Sequence, residues 1–297
     1  MKIQHLRHNQ IDQIRWDDII TNSLNQFGYA YSWYLNIVSP NWEALVSDNY
    51  DFIMPLPVKK KFRITYMVQP DRAQQLGIFS GKEITDKIVK LFIDKIPYYS
   101  YQINLNENNF CSSENQDLIA HQNFVLNLNQ NFKDIQSKFS KNTNRNINKA
   151  HKADLNIGFS LDATEFINFY FSINTDSNLG EILEIEKLIK KGFEQDLIQI
   201  PVIRNKDGNI IAGFCLLNSK NRMIYLVPVS STEGKKNSAM FLLLNEIIKT
   251  NSQKELVLDF EGSIVEGIAR FYRGFGAKNK PYYILKKLRP DFLVGRI

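Results

Sequence analysis

Cysteine is almost missing from this chain: among 297 residues there are two, Cys111 and Cys215. They lie far apart and match no Cys-x-x-Cys spacing, which excludes a disulfide framework, a thiolate zinc site and a thioredoxin-like redox pair. Histidine is nearly as sparse, and His5, His8, His121 and His151 make no metal-ligand spacing. No apolar run reaches the roughly 18 residues that a membrane-spanning helix needs. The stretch Met1-Lys-Ile-Gln-His-Leu-Arg-His8 lacks the apolar segment of a secretory signal. A Walker loop, a dinucleotide fingerprint after a strand and a Gly-x-Ser-x-Gly elbow are also missing. These absences predict a cytoplasmic protein with reduced thiols, no bound metal and no membrane span.

What is present is the composition of a globular protein, 43% hydrophobic with 12% aromatics. The length suits two domains of about 100–200 residues each. The formal charge of +6 is unevenly spread. Between Lys133 and Lys152, six basic residues (Lys133, Lys138, Lys141, Arg145, Lys149, Lys152) face a single acid, Asp134. Most of the excess charge therefore belongs to one short segment.

Residues 1–130 read as a mixed α/β domain, with helices over 12–27 and 85–96 and strands over 52–58, 64–68, 98–105 and 124–128. The turn between the first two strands is placed at Lys59-Lys-Lys61. Residues 131–153 read as one helix bridging two halves, with Ile135, Phe139, Thr143, Ile147 and Ala150 on one side. Lys138, Lys141, Arg145, Lys149 and Lys152 recur along another side at helical spacing. From residue 154 to 297 the pattern predicts a strand, two helices and a hairpin across Lys206-Asp-Gly208. A strand, a helix, a strand, a helix and a last strand at Tyr282–Lys287 follow.

The most informative stretch runs from Leu256 to Ala277. Alternation of Leu256, Leu258 and Phe260 with Val257, Asp259 and Glu261 predicts a strand carrying both carboxylates on one face. Gly262 ends it. Ser263 and Glu266 have capping-box spacing, Ile264, Ile268, Phe271 and Phe275 mark an apolar helix face, and Gly276 stands where a left-handed C-cap is expected.

This layout resembles the end of the GNAT acyltransferase superfamily. Phe271-Tyr-Arg-Gly-Phe-Gly-Ala277 lies over its aromatic-Tyr-x-x-x-Gly-Phe pattern without a gap. Asp259-Phe-Glu-Gly-Ser263 looks more like the branch of the Fem peptidoglycan-bridge aminoacyltransferases and their bacterial relatives. Pro40, Trp42, Asp48, Pro55, Pro57, Phe62, Tyr66, Gln69-Pro70 and Gln75-Leu-Gly-Ile-Phe79 resemble the first half of that branch. The resemblance implies α/β halves with mixed sheets, two GNAT-like domains in tandem joined by a long helix. The first, over 1–130, would be degenerate, the basic helix would span 131–153, and the second domain would run from 154 to 297.

The same resemblance implies an N-acyltransferase moving an acyl group from acyl-CoA, such as acetyl-CoA, to an amine. The alternatives are aminoacyl transfer from tRNA to a cell-wall precursor and a catalytically silent binding module. Tyr272 matches the tyrosine that many GNAT enzymes use as general acid, and Glu261 or Asp259 stands where a carboxylate would deprotonate the amine. The pyrophosphate position falls on Gly234, Lys235, Lys236, Asn237, Ser238 and Ala239, where a helix N-terminus favours an anion. The family places a small residue inside that loop and this chain has Asn237. Lys138, Lys141 and Arg145 are candidates for holding a tRNA or another anionic ligand, against the plainer reading of a solvated helix face. No aromatic side chain interleaves this basic stripe as a stacking platform would require.

Overall fold

The computed structural model describes residues 1–110 and 118–287. Cys111 lies outside them. The chain divides into two compact units, residues 1–122 with 280–297 and residues 123–279.

The first unit opens with β1 (Ile3–Leu6), α1 (Gln13–Asn22), α2 (Ser32–Val38), β2 (Glu43–Ser47) and β3 (Ile53–Leu56). Then come β4 (Val58–Lys61), β5 (Ile64–Met67), α3 (Asp86–Ile93), β6 (Tyr101–Leu105) and β7 (Leu118–His121). Asp12 starts α1 by accepting the Arg15 N–H at 3.0 Å. Trp16 on α1 meets Trp42 at 4.7 Å between ring centroids, and both are fully buried. The expected turn at Lys59–Lys61 is displaced: those lysines belong to β4, and the chain reverses at Phe62 and Arg63, with φ of 48° and 66°. Two consecutive positive φ values are what a tight hairpin turn demands, and here non-glycine residues supply them.

The second unit begins with β8 (Phe124–Asn127), α4 (Phe132–Gln136), α5 (Lys141–His151) and β9 (Asn156–Phe159). It continues with α6 (Ala163–Ile173), α7 (Leu179–Glu194), β10 (Ile198–Gln199), β11 (Pro201–Arg204) and β12 (Ile210–Asn218). It closes with β13 (Arg222–Ser230), α8 (Thr232–Lys236), α9 (Ala239–Asn251), β14 (Val257–Asp259), α10 (Glu266–Gly274) and β15 (Lys278–Asn279). The β11–β12 hairpin turns at Gly208, with φ of +85°, as the Lys206-Asp-Gly208 signal predicts. The sheet runs β15-β8-β14-β13-β12-β11-β9, with one parallel pair, β13 and β14. One face carries the main core, in which Phe260, Phe275, Leu243 and Ile147 are buried against Phe124 and Leu126.

The last strand, β16 (Tyr282–Lys287), does not close this sheet. It joins the first unit in the order β4-β5-β6-β16-β7, lying antiparallel to both neighbours. Conversely β8, which follows β7 in sequence, lies between β14 and β15. Each unit therefore places beside its parallel strand pair (β5–β6 or β13–β14) a strand from the other side of the chain crossing. This departs from the expected 1–130 and 154–297 division. The basic helix is not a bridge either: α4 and α5 lie inside the second unit and are separate, with Ser140 capping α5 by accepting the Thr143 N–H at 3.1 Å.

Candidate active site

The end of β14 sets the centre of the site. Asp259 is fully buried. One of its oxygens takes the Arg222 guanidinium of the neighbouring strand, and the other accepts the Glu261 N–H at 2.9 Å. Both oxygens are thus engaged, which corrects the expectation that Asp259 serves as a base. It fixes the backbone of Glu261 instead. Glu261 has φ of 60° and lies past the end of β14, so the strand alternation breaks there. The Glu261 carbonyl accepts the Phe124 N–H at 3.1 Å, which ties this corner to β8.

The helix that follows starts later than the capping-box spacing suggests. Ser263 accepts the Val265 N–H at 3.1 Å, a local turn, and α10 begins at Glu266, whose carboxylate pairs with Arg273. The expected apolar stripe is only partly buried: Ile264 is 94% exposed and Ile268 42%, while Ala269, Tyr272 and Gly274 form the inward face. Gly276 has φ of +79° and is the left-handed residue after the helix, as expected.

Tyr272 is buried with its ring stacked on Phe260 at 5.0 Å and edge-on to Tyr225 at 6.1 Å. Among the described residues its hydroxyl makes no hydrogen bond to backbone. Burial pushes its phenol up, and the negative charges of Glu261 and then Asp259 push it the same way. Tyr272 therefore holds its phenol proton more tightly than usual, first because it is buried and then because of the Glu261 charge.

The Ser231–Ala239 segment is not an open anion cradle. Thr232–Lys236 winds into a helical turn. The N–H groups of Gly234, Lys235, Asn237 and Ser238 bond to Ser231 Oγ, Ser231 O, Glu233 O and Lys235 O respectively. Gly234 is required for packing: a Cβ there would lie 2.2 Å from the Ile211 carbonyl oxygen. Ser238, with φ of 57°, donates its hydroxyl to Asn146 of α5 at 2.9 Å, and Ala239 is buried. Lys235 and Lys236 remain exposed. These residues do not fit the pyrophosphate of acyl-CoA.

Lys138 lies in the break before α5 and is bonded to Gln130, whereas Lys141, Arg145, Lys149 and Lys152 follow one exposed face. The latter four, with Asn144 and Asn148, line a shallow depression of about 570 Å³. A second depression of about 750 Å³ opens between the start of α5, Phe241 of α9 and Arg270 and Phe271 of α10. Aromatic side chains thus do stand at the end of the basic stripe. They come from helices remote in sequence, so the spacing within residues 131–153 carried no sign of them.

No family model matches the chain, and no curated protein matches it in sequence. Solved structures do. FemX superposes with a TM-score of 0.69 over 99% of this chain and 100% of its own, at 12% identity. The fold is Fem-like. The C-terminal domain of a putative lysylphosphatidylglycerol synthetase from Agrobacterium fabrum follows the same fold with a TM-score of 0.60, covering 94% of this chain and 93% of that domain at 11% identity. A tandem GNAT protein from the clavulanic acid biosynthesis pathway matches at a TM-score of 0.50, covering 96% and 98% at 8% identity. At such identities the likeness is one of fold, and it bears out the expected tandem GNAT-like, α/β architecture. Among the described residues no helix is long and apolar enough to cross a membrane.

Proposed function

We propose that this chain is a cytoplasmic acyl-group transferase whose donor is an aminoacyl ester carried on tRNA and whose acceptor is an amine of a cell-wall precursor. The observation that carries the reading is the filled Ser231–Ala239 loop, in which the N–H groups of Gly234, Lys235, Asn237 and Ser238 are spent internally and the Ser238 hydroxyl is given to Asn146. That loop leaves acyl-CoA without its usual anchor and favours a donor held elsewhere.

In the proposed reaction the amine attacks the ester carbonyl, a C–N bond forms and the C–O bond to the ribose breaks. Glu261 takes the proton that the amine sheds, and Tyr272 gives its proton to the departing ribose oxygen. The phenol recovers a proton from solvent as Glu261 releases one. The raised affinity of Tyr272 for its proton supports an oxygen leaving group. A thiolate leaves readily near neutral pH, with a thiol pKa of about 8.5, and gains little from so weak an acid. A ribose alkoxide, being far more basic, gains much. The larger overlap with FemX than with the tandem GNAT protein points the same way.

The test offers purified protein a lysine-containing peptide with either aminoacyl-tRNA or acetyl-CoA. Amide formation from the tRNA ester alone is expected. Transfer from acetyl-CoA alone would overturn the donor, and transfer from neither would return the chain to a binding module.

A further inference from the structure

The depression between α5, α9 and α10 has no role in the reading above. It measures about 750 Å³, within the roughly 300–1,000 Å³ of small-molecule sites. Phe241 and Phe271 meet edge to face in its wall at 4.8 Å and are both only half-buried, so ring surface is left uncovered. Arg270 is exposed at its rim and enters no ion pair among the described residues. Arg273, on the same wall, is held by Glu266. No carboxylate among the described residues lines this depression or the one beside it.

The two depressions meet on α5. Asn142 lines the first, and its side chain takes a hydrogen bond at 2.8 Å from Arg145, which lines the second. Beyond Arg145 the cations continue through Lys149 and Lys152, about 1.5 Å of helix rise per residue. The surface therefore joins an arginine-rimmed aromatic pocket to a straight basic track. That combination, stacking surface at one end and charge along a groove, is how proteins hold single-stranded nucleic acid. A solvated helix face has no reason to end in a pocket.

We propose that the pocket receives the terminal nucleotide of a single-stranded nucleic-acid end, the base against Phe241 and Phe271 and the phosphate at Arg270. The following phosphates run along Lys141, Arg145, Lys149 and Lys152. The site rests on the donor reading, which needs a place for the end of an RNA; Phe271 of the pocket wall precedes Tyr272 on α10, while Tyr272 itself turns inward onto Phe260 and does not line the pocket.

The experiment uses the full chain and two unacylated RNA hairpins, one blunt and one with a four-nucleotide 3′ tail, titrated by fluorescence anisotropy at several salt concentrations. Tighter binding of the tailed hairpin is expected, and Arg270→Gln should remove about tenfold of that preference. Replacing Lys141, Arg145 and Lys149 together by Gln should lower the log–log slope of affinity against salt by about two, at roughly 0.7 for each phosphate no longer neutralised. Circular dichroism checks that each variant is folded. Three results would overturn the site: equal affinity for both hairpins, a tail preference untouched by Arg270→Gln, or binding to anionic vesicles in place of RNA. If tail preference survives every variant while aminoacyl-tRNA still serves as donor, this site fails and the donor reading stands. If no RNA binds and acetyl-CoA is used, both fail.

Discussion

Asp259 and Arg222 form an ion pair between neighbouring parallel strands, buried so that Asp259 is fully covered and Arg222 is 8% exposed. Two charges taken out of water are tolerated because each satisfies the other and the second Asp259 oxygen accepts the Glu261 N–H. Removing one partner takes the buried counter-charge away from the other. Asp259→Ala should therefore destabilise the protein by about 3–5 kcal/mol. The double change Asp259→Leu with Arg222→Met should recover much of that loss. Urea unfolding curves of the three proteins check this. Full stability of the single variant would show that the pair holds nothing together.

Gly234 offers a way to separate packing from anion binding. A Cβ there meets the Ile211 carbonyl at 2.2 Å and Ser230 Oγ at 2.6 Å, and the first of these is backbone that cannot rotate aside. Gly234→Ala should cost about 1–3 kcal/mol, as overpacking does. Lys235→Gln and Lys236→Gln, at exposed positions, should leave the melting temperature unchanged and leave transfer from the true donor intact. A large loss of donor affinity in the lysine variants would restore the loop as an anion site.

These two sites show where sequence reasoning reaches and where it stops. The turn at Gly208 and the left-handed Gly276 were legible because a positive φ is a local demand that glycine meets. Gly234 was legible only as a member of the loop that the resemblance assigns to pyrophosphate, and close approach to a phosphate and close approach to Ile211 leave the same mark in a sequence. Alternation identified the residues of β8 and β16 as strands. It says nothing about which sheet receives them, so the exchange between units was invisible. The break between α4 and α5 was hidden for a related reason. Ile135, Phe139, Thr143, Ile147 and Ala150 keep helical spacing across it, and all are buried. The pocket residues Phe241, Phe271 and Arg270 needed three helices to be placed before they formed anything.

The pair of Glu165 and Arg204 should give the protein part of its acid sensitivity. Arg204 reaches Glu165 with both terminal nitrogens, at 2.5 and 2.6 Å, and that hydrogen bonding holds the carboxyl below its ordinary value. A carboxyl whose folded pKa is depressed contributes stability above the unfolded Glu pKa of about 4.3 and loses it as pH falls through the folded value. Glu165 is 41% exposed on its side chain, so water screens the pair and its worth near neutral pH is at most about 1 kcal/mol. Glu165→Gln should lower stability slightly at neutral pH, and the deficit should shrink as acid protonates the Glu165 carboxyl in the folded and the unfolded protein. Parallel unfolding curves at pH 7 and pH 3 test this, and an equal deficit at both would exclude the ionised pair as its source.

The relation between Tyr272 and Glu261 bears most directly on chemistry. The phenol is stacked on Phe260 and its proton is held more tightly by burial and by the Glu261 charge. Tyr272→Phe keeps the ring and removes only the hydroxyl, which has no backbone partner among the described residues, so stability should change by about 1 kcal/mol or less. Turnover should fall by roughly 10²–10⁴-fold if the hydroxyl protonates the leaving oxygen. Glu261→Gln should cost a similar factor and should also remove one of the charges that raise Tyr272, moving the phenol down toward its ordinary value. The two variants therefore differ in the pH–rate profile. Loss of Glu261 removes the basic requirement on the acid side, while loss of the Tyr272 hydroxyl lowers the plateau without moving that limb. A Tyr272→Phe variant with unchanged kcat would take the general acid away from this residue and leave the ring as packing for Phe260.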